Sequence, residues 1–439
     1  MAVALFALSV VVGLQLSRVL FPLAFVYSET AGSLDAGLLV MALFAGAPLA
    51  AWPARRLLGA RGALLASLGG AIAVRLAVQF ARPVPLWLAA AGVGLALAAW
   101  ALQVHGLRTP SGGAAVALGF ALGSALDTAL RATTWTWDLA WQGGPWPVGS
   151  SLALVLATGW LALRAPTPAE GRGGGLRLLA LGPFLALQLV FLGSPAFVAS
   201  QAGASLPAAV AVLLVAHAAA AALVLRPPAG RGPAAGAAAA VVAAGAAARG
   251  LHGPAILAAA AAGVPASAVL LSRVLAGPRR AGFGRTAAGF AGGALLFVVL
   301  AFVYQAAYDL PIPFPNAAVP PAAGVLLAVA ALLAPTAPVP LATGGVGADR
   351  RWPVAVPLAL LLVPLGLAVG RRAEVAPAAG PSFRVVDYNV HNGVDPLGQV
   401  DPEAMARVIE AQDPDVVVLQ EVARGWVTKI GRASCRERV

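Results

Sequence analysis

Apolar residues come in runs along most of this chain, not in alternation. About thirteen runs lie between residues 1 and 372, centred near residues 14, 45, 71, 94, 121, 156, 188, 215, 241, 265, 297, 331 and 361. Each is close to the roughly 20 residues that a bilayer crossing needs. Gly, Pro and Arg punctuate them. The weakest is the Ala-rich run 233–248, which is short and poor in Leu, Ile and Phe. This pattern predicts a polytopic α-helical membrane protein of about 13 transmembrane helices.

Past residue 382 the period changes. Phe383, Val385, Val386 and Tyr388 suit a strand, and Asn392-Gly393 predicts a turn after it. Asp401-Pro402-Glu403 reads as a helix start, with Asp as N-cap, Pro in the first turn and an acid beside it. Met405, Val408 and Ile409 give that helix one apolar face. The run Val416-Val417-Val418-Leu419 predicts a parallel strand covered on both faces. The expected unit is β–α–β, with Asn389 and Glu421 at the carboxyl ends of its two strands, where open α/β sheets place ligands.

Composition agrees with the division. The chain is 60% hydrophobic and 10% charged, with mean hydropathy +0.86; a soluble domain is nearer a quarter charged. Residues 1–372 carry 7 of the 17 acidic residues, and the last 67 residues carry the other 10. The expected domains are therefore 1–372, multispan; 373–382, linker; 383–426, a soluble α/β fragment; and 427–439, a tail. The sole lysine, Lys429, and the sole cysteine, Cys435, fall in that tail, against 28 arginines overall. The composition break suggests a non-native end.

The net charge of +12 does not indicate nucleic acid, because the arginines stand singly or in pairs between apolar runs. Loops after even-numbered spans hold fifteen of them, Arg55, Arg56 and Arg164 included, whereas loops after odd-numbered spans hold Arg82, Arg131 and Arg249. The positive-inside rule then predicts a cytoplasmic N-terminus and an extracytoplasmic C-terminal domain in a bacterial-type inner (plasma) membrane. Arg371 and Arg372, after the last span, run against that orientation. Trp135, Trp137, Trp141 and Trp146 share one odd loop, as an interfacial aromatic belt would.

Intramembrane polar residues are functional candidates by default. Here they are Arg18, Arg75 and Asp127, expected to line a polar cavity for a headgroup or solute. The structural alternative is that Arg75 snorkels outward and Asp127 pairs with Arg131 one turn on.

Two resemblances follow. Arg–Gly-rich short loops recur after spans two and eight, at 53–70 and 225–240. Two six-helix halves plus a linking helix resemble a major-facilitator-type arrangement, although that family's acidic residue between spans two and three is absent. The wording YNVHNGVD and PDVVVLQEVARGW resembles the endonuclease/exonuclease/phosphatase superfamily, the DNase I-like fold. The likeness is to its membrane-bound branch, which includes GPI-anchor lipid-remodelling proteins.

The second resemblance implies a four-layer α/β domain of about 250 residues, here truncated. It implies a phosphoric ester hydrolase using Mg²⁺ or Mn²⁺, with Glu421 as metal ligand, Asn389 and His391 as catalytic residues, and a lipid-linked or headgroup phosphate as substrate. The Asp-x-Asn segment and closing Asp and His of that family are not in this sequence, so the expected chain is inactive. The alternative is a transporter or lipid-handling membrane protein with an accessory soluble domain. Partners expected in either case are the bilayer and a small substrate, with no nucleic acid.

Overall fold

The computed structural model describes residues 1–107, 113–167, 175–225, 232–276, 282–306, 313–334, 351–370, 382–390 and 393–420. The first helices are α1 (Ala2–Ala31), α2 (Ser33–Phe80), α3 (Leu86–Leu107), α4 (Gly113–Ala132) and α5 (Pro145–Arg164). α2 holds two of the expected spans, because Gly59 takes φ 72° and ψ 170° in its middle. Only glycine enters that region freely, and the chain turns back there. Phe44 on the first arm packs against Phe21 of α1, while Leu64 and Leu68 on the second arm share a cluster with Leu5.

The seventh expected span is broken. A 3₁₀ turn (Gly175–Ala180), α6 (Leu181–Leu185) and a π turn (Ala186–Val190) lead into α7 (Pro195–Ala202) across a 57° bend. A π turn spoils the i→i−4 ladder and is a recognised cause of such bends. Ser194 caps α7, and Pro195 follows at its start. Next come α8 (Leu206–Val224), α9 (Gly232–Gly250), α10 (Pro254–Leu275), α11 (Phe283–Ala306), α12 (Val319–Leu332), α13 (Trp352–Ala359) and α14 (Leu362–Gly370). Twelve of the thirteen expected centres fall inside helical segments, and residue 361 falls at the turn between α13 and α14. Nine helices among the described residues are long and apolar enough to cross a membrane, and the bent pair makes a tenth. The Ala-rich α9 is not among them. The protein is a multi-pass helical membrane protein.

Packing makes α1 the central helix: 89% of its apolar window is inside the protein, against 33% for α5. Its closest neighbour is α4, and small residues explain why. A Cβ added at Gly123 would lie 2.7 Å from the Ala7 carbonyl oxygen, and one at Gly119 would lie 2.3 Å from the Phe6 ring. The pair is a Gly-x-x-x-Gly face, which lets two helix backbones approach. Farther out, α2 packs on α11 and α4 packs on α8. The α2–α11 contact is antiparallel: Gly37 faces Phe302, Phe44 faces Phe297 and Trp52 faces Gly284. α13 and α14 pack on α8 and α4 at the flank.

The C-terminal segment forms β1 (Val385–Asn389), α15 (Pro402–Glu410) and β2 (Val416–Gln420). The strands pair in parallel from Val385–Val416 to Asn389–Gln420. Asp401 caps α15 by accepting from Ala404 N at 2.9 Å. The β–α–β order is as expected, but the burial is not. Val416 is 43% exposed and Val385 49%, because two strands with one short helix have no second layer to cover them. No DNase I-like domain is formed: among the described residues the only sheet has two strands.

Candidate functional site: a buried charge cluster

Gly119, Gly123 and Asp127 are spaced four apart, on one face of α4. The close approach at the two glycines therefore carries Asp127 against α1 one turn later. There Arg18 donates from Nη2 to Asp127 Oδ1 at 2.5 Å and from Nη1 to Oδ2 at 3.0 Å, a two-pronged fork. Its Nε donates to Asp138 Oδ2 at 2.6 Å. Asp138 lies between α4 and α5, in a turn it stabilises itself: its Oδ1 accepts from Ala140 N at 2.8 Å. All three residues are buried, each 5% exposed or less. A guanidinium with two carboxylates is strongly held when desolvated, and leaving either partner alone there is costly.

Arg75, on the second arm of α2, is completely buried. It does not snorkel. Nε donates to Gln15 Oε1 at 2.6 Å, Nη1 to Gln79 Oε1 at 3.1 Å and Nη2 to Ser151 Oγ at 2.8 Å. Gln79 in turn donates to the carbonyls of Leu139 and Gln142. Arg75 is thus ringed by neutral oxygens and joined through Gln79 to the same turn that holds Asp138. Arg131 is 3% exposed, donates to Thr136 O at 3.4 Å, and has an Nε with no hydrogen-bond partner. Asp127 is engaged by Arg18, so the expected Asp127–Arg131 pair is not formed. Three buried guanidinia face two buried carboxylates.

Arg82 closes this end of the bundle, donating from Nη2 to Ala140 O at 2.6 Å and lying 5.2 Å over the Trp141 ring. Partial burial lowers its pKa from the ordinary arginine value, and the nearby Asp401 opposes that shift. The expected aromatic belt is in part structural, since Trp141 is buried and Trp146 donates to Thr133 Oγ1.

Next to Arg18 in sequence, Ser17 turns to another face of α1. It lines a cavity of about 20 Å³ with Leu14, Phe44 and Trp100 on one side and Leu185, Leu189, Phe290 and Phe297 on the other. That is room for about one water.

Sequence reasoning brought out Arg18, Asp127 and Arg75 as separate positions; the first two are bonded to each other and the third sits beside them. It missed Asp138, and it offered Arg131 both as a topology charge and as a partner for Asp127, a pair that is not formed. Polar pairs three or four apart inside apolar helices (Gln15 with Arg18, Arg75 with Gln79, Asp127 with Arg131) were the available signal. Of the C-terminal candidates, Asn389 ends β1 at the surface, while His391 and Glu421 lie outside the described residues. Among the described residues no three His, Cys, Asp or Glu side chains group as metal ligands.

No protein-family model and no curated protein matches the chain. Solved structures resemble it, two of them of one protein. One is the major facilitator superfamily proton:xylose symporter XylE bound to 6-bromo-6-deoxy-D-glucose, 14% identical, covering 74% of this chain and 94% of that one, with a TM-score of 0.49. The other is a double-tryptophan mutant of XylE, 16% identical, covering 83% and 95%, with a TM-score of 0.36. These findings correct the assignment to the endonuclease/exonuclease/phosphatase superfamily. No family model of that superfamily matches the chain, and among the described residues the segment that carried the resemblance forms a two-stranded sheet and no DNase I-like domain. The hydrolase activity and its phosphate-ester substrate are withdrawn with it.

Proposed function

We propose that the chain is a membrane transporter whose solute path runs between two six-helix halves. One half is α1–α5, with α2 counted twice; the other runs from Gly175 to Leu332, with α6 and α7 counted as one. α13–α14 lie outside both. The observation that carries this reading is a symmetry of contacts. If each helix of the first half is exchanged with its counterpart in the second, the α2–α11 pair becomes the α8–α4 pair, and both pairs are present. Two such seams, with a cavity between the halves, suit bodies that rock about a central site.

The lining is apolar apart from Ser17, so the solute is uncharged and largely apolar, and this state is closed around a space too small for it. The ion cluster lies within the first half and makes that half rigid. By the positive-inside rule the N-terminus is cytoplasmic and the Asp138 end faces outward.

Spin labels test the reading without knowledge of the solute. One pair, at Trp87 and Phe314, spans the halves at the Asp138 end; another, at Leu57 and Leu333, spans them at the opposite end. All four positions are exposed. In lipid nanodiscs the expected result is two distance populations for each pair, the long one at one end accompanying the short one at the other. A single narrow distance at both ends under all conditions would rule out alternating access.

A further inference from the structure

We propose that the hairpin 393–400 is a plug seated in a specific notch at the Asp138 end of the first half. The structure argues this from both partners.

The hairpin is organised before it docks. Asp395 Oδ1 accepts from Leu397 N and Gln399 N, both at 2.8 Å, and Asp395 N donates to Gln399 O at 2.8 Å. Val394 and Val400 bridge its two sides. An aspartate that satisfies two following amides is a turn former in its own right.

The notch fits this hairpin closely. Gln399 Oε1 accepts from Val84 N at 2.7 Å, and Gln399 Nε2 donates to Val84 O at 3.3 Å. One side chain thus satisfies both backbone groups of a residue 315 positions away. Two glycines with φ of +77° make the closest approaches. A Cβ at Gly393 would fall 2.5 Å from the Trp137 ring, and one at Gly398 would fall 2.7 Å from the Leu23 side chain.

Burial runs opposite to solvent preference. The polar Gln399 is 7% exposed, whereas Leu397 at the tip is 65% exposed. An amide taken from water while a leucine stays in it indicates a pairing site, not general apolar collapse.

The location gives the contact a role. Trp137 precedes Asp138, and Leu23 lies on α1 beyond Arg18, so the plug spans the helix and the turn that the ion cluster joins beneath it. Val84, Trp137 and Leu23 all belong to the first half, so the plug braces α1 against that turn within one body. This bracing role does not depend on the transporter reading.

The test uses the full chain in nanodiscs with Cys435→Ser and a single reporter, Leu23→Cys, exposed to a membrane-impermeant maleimide. Labelling is expected to be slow in this background. With Gln399→Ala it becomes about tenfold faster, equivalent to ~1.4 kcal/mol, in the range of one or two net hydrogen bonds. Leu397→Ala leaves it unchanged. A second reporter, Leu64→Cys, buried on the second arm of α2, stays unlabelled throughout if only the plug is released. Equal labelling of Leu23→Cys with and without Gln399→Ala would overturn the proposal. So would parallel exposure of Leu64→Cys, which would mean that the hairpin holds the whole fold. No solute enters the measurement, so a failed spin-label test and a failed plug are separate results.

Discussion

Arg18 and Asp127 meet through two hydrogen bonds, of 2.5 and 3.0 Å, although 109 residues separate them. Asp138 takes the third donor of the same guanidinium. We predict that Asp127→Ala destabilises the chain by about 3–5 kcal/mol, because it leaves Arg18 desolvated with one partner. Arg18→Met combined with Asp127→Leu should cost less than the two single changes summed. Thermal unfolding of the four proteins in detergent checks this; strictly additive costs would show that the two side chains do not act as a pair.

Gly123→Val should act on the same pair from a distance. Its side chain would press on the Ala7 carbonyl and move α1 off α4, with a cost of about 1–3 kcal/mol. The readout that separates it from a simple packing defect is the cycle above: in the Gly123→Val background, the coupling between Arg18 and Asp127 should shrink.

Arg75→Met removes three donors at once and leaves Gln15 Oε1 without a partner, while Gln79 Oε1 keeps the bond donated by Ser151 Oγ at 2.9 Å. An unsatisfied buried group costs about 1–3 kcal/mol, so we predict a loss of that order. Adding Gln15→Leu should recover part of it. Melting temperatures that fall further in the double variant would contradict the assigned hydrogen bonds.

The reversal at Gly59 is a backbone matter. Gly59→Ala puts a Cβ on a residue with φ 72° and ψ 170°, at an expected cost of about 1–3 kcal/mol. Gly46→Ala, in open space on the same helix, should be neutral or slightly stabilising. Equal melting temperatures for the two would show that α2 does not turn at Gly59.

The helices were legible because membrane helices announce themselves by composition over 20 residues, and the centres from 14 to 331 needed nothing else. Arg18 was legible for the same reason, as a charge where none is cheap. Asp138 was not, because its partner is 120 residues away and its own neighbourhood reads as an ordinary tryptophan-rich loop. The C-terminal strands and helix were legible from local pattern, down to the Asp401 cap. The run Val416–Leu419 alone records a preference for burial and not whether a covering layer exists; that two strands and one helix cannot bury a core followed from the shortness of the segment. The phosphoesterase reading failed at that step, by taking a short local pattern as the sign of a whole domain. Gln399 on Val84 had no sequence signal at all.

The three-way junction at Arg18 also bears on how the protein is made. α1 leaves the ribosome before α4, and it carries a mid-span arginine whose transfer into lipid costs roughly 2.5–3.5 kcal/mol. The carboxylates that neutralise it are on α4 and beyond. At typical synthesis rates they arrive on the order of ten seconds later. Throughout that interval the arginine's cost falls on α1 alone, set against about 0.3–0.6 kcal/mol gained from each of its Leu, Val and Phe residues. The junction itself closes only when α4 and the turn after it have joined α1.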